Sequence, residues 1–433
     1  MLGLVDDIIG VTEAGFKAKQ MNSFINVKSA EKCLQFGVSK CKSMTIGKNI
    51  NEILKSPLSV DKWKKTHEIG PDTTKDNLVE TYEGEVNVDQ TDEQKYLGFI
   101  LSSKGNNMAN INAMKLKSKG IIRKIFSRLD SLNLQKYYFE CALILMNAML
   151  RSSILYASDM YYNLKEIEIR NLERIEEGFL RELFKAGKSC PISQLYLEIG
   201  QYPARFEIMK MRLLFMKYIL NNESSSLIHK FFELRIAQPV KGDWASTCFK
   251  DLENLNIELS IEKIKEMPRT TFKTLVKEKI NKCSLKYLQE IRKSKGKEIE
   301  YLNLKMAEYL QPSSDCSIEV KQRIFSIRNR MVKIPDNFKQ KNAATTGIYI
   351  APQCVCGLTE NMKHIYICRF LNTKPTEVEY ENIFKDDFKK QMKVYKIFEE
   401  NLSKREELEK TENPHGILSS SDPLYTVQVH SNG

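Results

Sequence analysis

Two adjacent carboxylates, Asp6 and Asp7, stand in Leu4-Val5-Asp6-Asp7-Ile8-Ile9, at the break between two short apolar runs. Such a pair serves either a solvated β-turn or a cation site. Hard carboxylate oxygens suit Mg²⁺, and nucleotidyl transfer uses two divalent ions ~4 Å apart to activate a hydroxyl and to neutralise a leaving pyrophosphate. A second group, Cys354-Val355-Cys356-Gly357 with His364 and Cys368, has the spacing C-x-C-x7-H-x3-C within fifteen residues. Three thiolates and one imidazole form a tetrahedral Zn²⁺ set with no open position, structural and not catalytic. Gly357 permits the tight turn, and His364 and Cys368, four apart, share one helix face. A third set is basic: Lys115, Lys117, Lys119, Arg123, Lys124 and Arg128. It is either a solvated helix face or a row of sequence-independent, salt-sensitive phosphate contacts.

These groups need elements to hold them. From Leu2 to Ile50, β-like runs (Leu4, Val5, Ile8, Ile9, Val11; then Ser43-Met44-Thr45-Ile46) flank a helical stretch from Phe16 to Leu34, a strand-helix-strand unit. Residues 48–92 are polar, with Pro57, Gly70 and Pro71, and predict loops carrying a short hairpin over Tyr82 to Val88. Gln94 to Ser102 predicts a strand closed by a turn at Lys104-Gly105, where β content is expected to end. After Asn106 the period becomes helical, with Met114, Ile121, Ile122, Ile125 and Leu129 on one face of the helix that bears the basic set.

Leu172, Ile175, Phe179 and Leu183 repeat that pattern over Glu166 to Lys185, with Gly187 expected at the C-terminal cap. Pro191 and Pro203 are expected in the first turns of two more helices. Shorter helices separated by Pro239-Val240-Lys241-Gly242, Pro268 and Pro312 fill 221–335, with Trp244 as a packing anchor between them. Residues 336–353 read as a loop, and 411–433 as a polar, disordered tail.

The bulk composition is compatible with this reading. The chain has 433 residues, is 42% hydrophobic, and carries 67 Lys and Arg against 55 Asp and Glu, a formal charge of +12. That is the electrostatics of a folded protein that meets a polyanion. Asp6 and Asp7 interrupt the apolar start, which has no basic flank, so no signal peptide is expected. The run Cys141 to Leu150, broken by Asn147, is far short of the ~20 residues that span a bilayer and reads as a buried helix. No membrane partner is expected, and the ten cysteines are expected to remain reduced in an intracellular setting, cytoplasmic or nuclear.

The order of the motifs resembles the reverse transcriptase of a non-LTR (LINE-like) retrotransposon over roughly residues 4 to 370. Leu4-Val5-Asp6-Asp7 resembles the metal-binding turn of that family's palm, with Leu4 where the family carries Tyr or Phe. Phe36-Gly37-Val38-Ser39-Lys40-Cys41-Lys42-Ser43 resembles its lysine motif, and Lys95-Tyr96-Leu97-Gly98-Phe99 its primer-grip strand. Ile154-Leu155-Tyr156-Ala157 and the Arg174 to Arg181 helix resemble the segments after the thumb, and the terminal Cys/His cluster resembles the family's CCHC knuckle with narrower gaps.

The resemblance implies an α+β, mostly α-helical chain. It would comprise a partial palm (1–105), a thumb and following helices (106–220), a helical connector (221–335) and a small zinc-knuckle module (345–372). It further implies Mg²⁺ at Asp6 and Asp7, Lys40 near an incoming triphosphate, Tyr96-Leu97-Gly98 at the primer end, structural Zn²⁺, and an RNA template with a DNA primer as partners. The family's remaining palm carboxylate and its fingers lie upstream of the Asp-Asp turn. This chain is therefore expected to be the C-terminal portion of a longer element protein, inactive in DNA synthesis by itself. Two further readings remain: a non-enzymatic zinc-containing nucleic-acid-binding protein derived from such an element, and a decayed element with no selected function.

Overall fold

A computed structural model describes residues 2–4, 7–9, 15–31, 41–44, 59–69, 76–104, 106–188, 190–293, 304–329, 331–332, 362–368, 371 and 377–412. It is mostly helical with few strands, and among the described residues every sheet is a two-stranded pair. Strands β1 (Leu2–Leu4) and β2 (Asp7–Ile9) pair antiparallel with Leu4 opposite Asp7. Helix α1 (Gly15–Glu31) follows, and β3 (Lys42–Ser43) pairs in parallel with β6 (Asp89–Gln90).

Between β3 and β6 the structure departs from the loops expected over 48–92. Strands β4 (Ser59–Ile69) and β5 (Asp76–Asn87) form a long antiparallel hairpin from Ser59↔Asn87 to Ile69↔Asp76, with an irregularity at Lys62/Trp63. The reason is compositional. Lys, Glu, Asp and Thr occupy both alternating sets of positions, so no apolar period-2 signal marks strands that backbone pairing nonetheless joins.

The segment read as one strand over Gln94 to Ser102 is a tight hairpin, β7 (Glu93–Tyr96) and β8 (Phe99–Ser102). The hairpin's turn is Leu97-Gly98, within the expected strand; after β8 the chain turns again at Ser103-Lys104, and Gly105 lies outside the described residues. Beyond β8 the only β pairing among the described residues is a single bridge, Ile199↔Met306.

Helices then follow in succession. Helix α2 is Met108–Ser131, and α3 (Tyr138–Leu145) runs through a π-helical turn at Met146–Arg151 into Ser152–Ile154. After α4 (Glu166–Leu183), the left-handed residue is Lys185 (φ 50°), where Gly187 was expected to end the helix. Pro191 and Pro203 sit one position earlier than expected, as extended N-cap residues of α5 (Ile192–Glu198) and α6 (Ala204–Leu220).

Helices α7 (Leu227–Ala237), α8 (Trp244–Asn254), α9 (Ile261–Glu266) and α10 (Arg269–Lys293) come next, then α11 (Ile318–Arg328), α12 (Met362–Ile367), α13 (Glu377–Tyr380) and α14 (Phe388–Glu412). Ser226, Asp243, Ser260 and Ser317 each accept a first-turn N–H, at α7, α8, α9 and α11 respectively. Each cap contributes about 1 kcal/mol.

The apolar stripes bury into two cores. The first joins Ile111, Phe179, Leu195, Phe325, Tyr366 and Phe398, so α2, α4, α5, α11, α12 and α14 share one interior. Rings of Phe139, Phe184 and Phe325 run through it, the last two stacked at 4.2 Å. The second core draws on α6 to α10 through Leu213, Phe232, Cys248, Ile264 and Phe272. Tyr287 packs against both. Trp244 anchors the second as expected: its ring meets Phe215 and Phe232 edge-on, and its Nε1 donates to the Asp159 carbonyl at 2.6 Å. No helix among the described residues is long and apolar enough to cross a membrane.

Candidate nucleic-acid interface

The β7–β8 hairpin presents the tip Leu97-Gly98, with φ of 46° and 85°. Positive φ at both central positions is the primed-turn geometry that matches strand twist. Leucine rarely adopts it, so the tip needs outside support. The Tyr156 hydroxyl donates to the Leu97 carbonyl at 2.7 Å, and the Tyr156 ring lies against Gly98, where an added Cβ would stand 3.2 Å from Tyr156 Cε1. Lower on the hairpin, the Ile100 N–H donates to Asn110 Oδ1, and Asn110 Nδ2 donates to the Tyr161 hydroxyl at 2.6 Å. Phe99 packs on the Tyr161 ring, centroids 5.8 Å apart. Burial pushes the Tyr161 hydroxyl up to about 12, so it stays a neutral hydrogen-bonding group. Asn110 belongs to α2, and these contacts make the hairpin and that helix one unit.

Helix α2 carries the basic set. Its buried face is Ile111, Met114, Ile125, Phe126 and Leu129. At 100° per residue, Lys115, Lys119 and Arg123 form one row beside that face, and Lys117, Lys124 and Arg128 a second row on the other side. All six are exposed. None pairs with a carboxylate among the described residues, and Arg128 donates only to the Met149 sulfur at 3.7 Å. Between the rows lie Leu116, 72% exposed, and Gly120, with open space where a Cβ would be. Two rows of unpaired cations beside a low crest can meet a row of phosphates without first breaking internal ion pairs.

Cations elsewhere are used differently. Arg151 is buried against Glu176 (2.8 Å) and reaches the Tyr202 carbonyl, while Tyr196 and the Ala204 N–H donate to the same carboxylate. Arg205 clamps Glu173 and Glu166, Arg181 holds Glu177, and Arg328 is buried against Glu198. A cleft of about 420 Å³ beside α4 is lined by Arg170, Arg174, Arg181 and Lys188, with the carboxylates of Glu173 and Glu177 among them.

Of the other predicted site residues, Asp6, Lys40, Cys354 and Cys356 lie outside the described residues, as do the loop at 336–353 and the tail from 413. Asp7 is described in its backbone alone, as the first residue of β2. Its carboxylate chemistry fits a hard cation such as Mg²⁺. His364 and Cys368 lie one helical turn apart, at α12 and just after it, both buried. Burial lowers the His364 pKa and favours the neutral imidazole that a zinc ion requires. Asn401 of α14 donates to the Ile365 and Tyr366 carbonyls, which fixes this helix against the first core.

The residues that sequence reasoning did not single out are Asn110, Tyr161 and the hydroxyl of Tyr156. Only Tyr156 stood in a quoted motif, Ile154-Leu155-Tyr156-Ala157. Structurally this is a mostly helical chain with a clamped hairpin beside a helix of unpaired cations. Comparison with protein-family models, with curated proteins and with solved structures returns no match.

Proposed function

We propose that this chain is part of the RNA-directed DNA polymerase of a non-LTR retrotransposon, and that it holds a template–primer duplex. The observation that supports this most is that the β7–β8 hairpin, whose tip is Leu97-Gly98, is joined at Ile100 to Asn110 of α2, the helix that carries the unpaired cations. In this reading the duplex backbone lies along Lys115, Lys117, Lys119, Arg123, Lys124 and Arg128, and the primer end meets the hairpin tip. Asp6 and Asp7 would hold Mg²⁺, which supplies charge neutralisation at a triphosphate, and Lys40 would lie beside that triphosphate. Cys354, Cys356, His364 and Cys368 would hold a structural Zn²⁺.

Titration of an RNA–DNA hybrid tests the reading. With about six phosphate contacts, affinity is expected to fall by about a thousand-fold between 50 and 200 mM salt; a salt-independent affinity overturns it. Primer extension on a primed RNA with Mg²⁺ checks the expected inactivity of this chain by itself: no sustained synthesis is expected, and synthesis abolished by D6N/D7N would overturn that expectation. Zinc stoichiometry checks the knuckle, with one ion expected per chain and loss in Cys356→Ser.

A further inference from the structure

We infer that Tyr156 is a positioning residue for the primer end, through its hold on the Leu97-Gly98 tip; the inference rests on the nucleic-acid reading above. A two-stranded hairpin is marginal by itself, and this one has a leucine at φ 46° in its turn. Its lower half is secured by buried groups, Asn110 and Tyr161. Its tip is secured differently. The Tyr156 hydroxyl occupies the Leu97 carbonyl, and the ring fills the space that Gly98 leaves open.

Tyr156 is itself 47% exposed and Leu97 41% exposed, so this contact lies at the surface, outside the buried cores. Its role is therefore to set where the tip stands relative to the cations of α2. In the reading above, a duplex that lies on those cations brings its primer end to this tip. Loss of the hydroxyl should leave phosphate binding intact and blur recognition of the end.

The test uses the full chain, Tyr156→Phe, and two RNA–DNA hybrids of equal duplex length, one with a recessed DNA 3′ end and one blunt. Wild type is expected to prefer the recessed end. Tyr156→Phe is expected to lose about five-fold of that preference, the equivalent of one neutral hydrogen bond. Its blunt-end affinity, salt slope and melting temperature should match wild type, and amide exchange over residues 96–99 should quicken. Tyr156→Ala, which removes the ring as well, should lose more.

If Tyr156→Phe keeps the full preference, whether or not exchange quickens, the inference fails and the proposed function stands. If wild type binds both hybrids equally, the primer-end reading fails and takes the inference with it.

Discussion

Helices α2 and α4 both carry cationic side chains, yet they use them in opposite ways. Along α4 and its neighbours most guanidiniums meet a carboxylate: Arg170 with Glu166 and Glu173, Arg181 with Glu177, Arg205 with Glu173, while Arg174 donates to the Asn171 side chain. Deeper in, Arg151 and Glu176 are almost wholly buried. Such cations hold elements together and have no charge to spare. Along α2 the six cations stand in solvent with no carboxylate partner among the described residues. Net charge alone does not separate these two kinds; partnership does.

The largest effect is expected at Arg151. Arg151→Met should cost about 3 to 5 kcal/mol, because Glu176 is left buried and unpaired, and chemical denaturation would show it. The hybrid affinity of the folded protein should be unchanged.

A milder effect concerns the buried pair Arg212–Asp251 in the second core (2.6 Å). Burial outweighs the guanidinium and pushes the Asp251 carboxyl up to about 6, above the ~3.9 of an unfolded chain. A raised carboxyl pKa favours the folded state where the group is protonated. This contribution should be fully present below pH ~4 and lost as pH rises through about 6, on the order of 2 to 3 kcal/mol. Asp251→Asn should flatten stability between those two pH values; a slope unchanged by the substitution argues against a neutral carboxyl.

On α2 the stability change should nearly vanish while binding changes. Lys119→Ala with Arg123→Ala should shift stability by no more than ~0.5 kcal/mol and reduce the slope of log affinity against log salt by about 2. The smallest effect is expected at Glu166→Gln. That carboxylate is 61% exposed in its pair with Arg205, and its loss should cost less than about 1 kcal/mol with no change in hybrid binding.

Much of the helical body was legible, because apolar residues at three- to four-residue steps declare a helix whatever they pack against. Ile125, Leu129, Leu172 and Phe179 were placed on core faces by spacing alone, and all four are buried. The β4–β5 hairpin was not legible, since its polar residues fall on both alternations. The tip at Leu97-Gly98 was half legible: the residues were singled out, but their turn was read as part of a strand because a leucine at positive φ is rare.

What no local pattern could show is which charges are paired. Arg151 meets Glu176 across 25 positions, Arg205 meets Glu173 across 32, and Arg328 meets Glu198 across 130. The contact of Tyr156 with Leu97 spans 59. Free and engaged cations look alike until such distances close.

The π-helical turn at Met146–Arg151 has a consequence for chain length. A wide turn accommodates one residue more than an α-helix does over the same rise. Deletion of a single exposed residue there, such as Asn147, would convert it to ordinary helix and preserve helical content. Segments on either side would keep their phase, because the wide turn is what absorbs the extra residue. The same deletion in a regular helix would turn everything after it by about 100°. Arg151 and Tyr156 should therefore still reach Glu176 and the hairpin tip after loss of Asn147, which makes this turn the place where the chain can change length by one residue without uncoupling the interior from the surface.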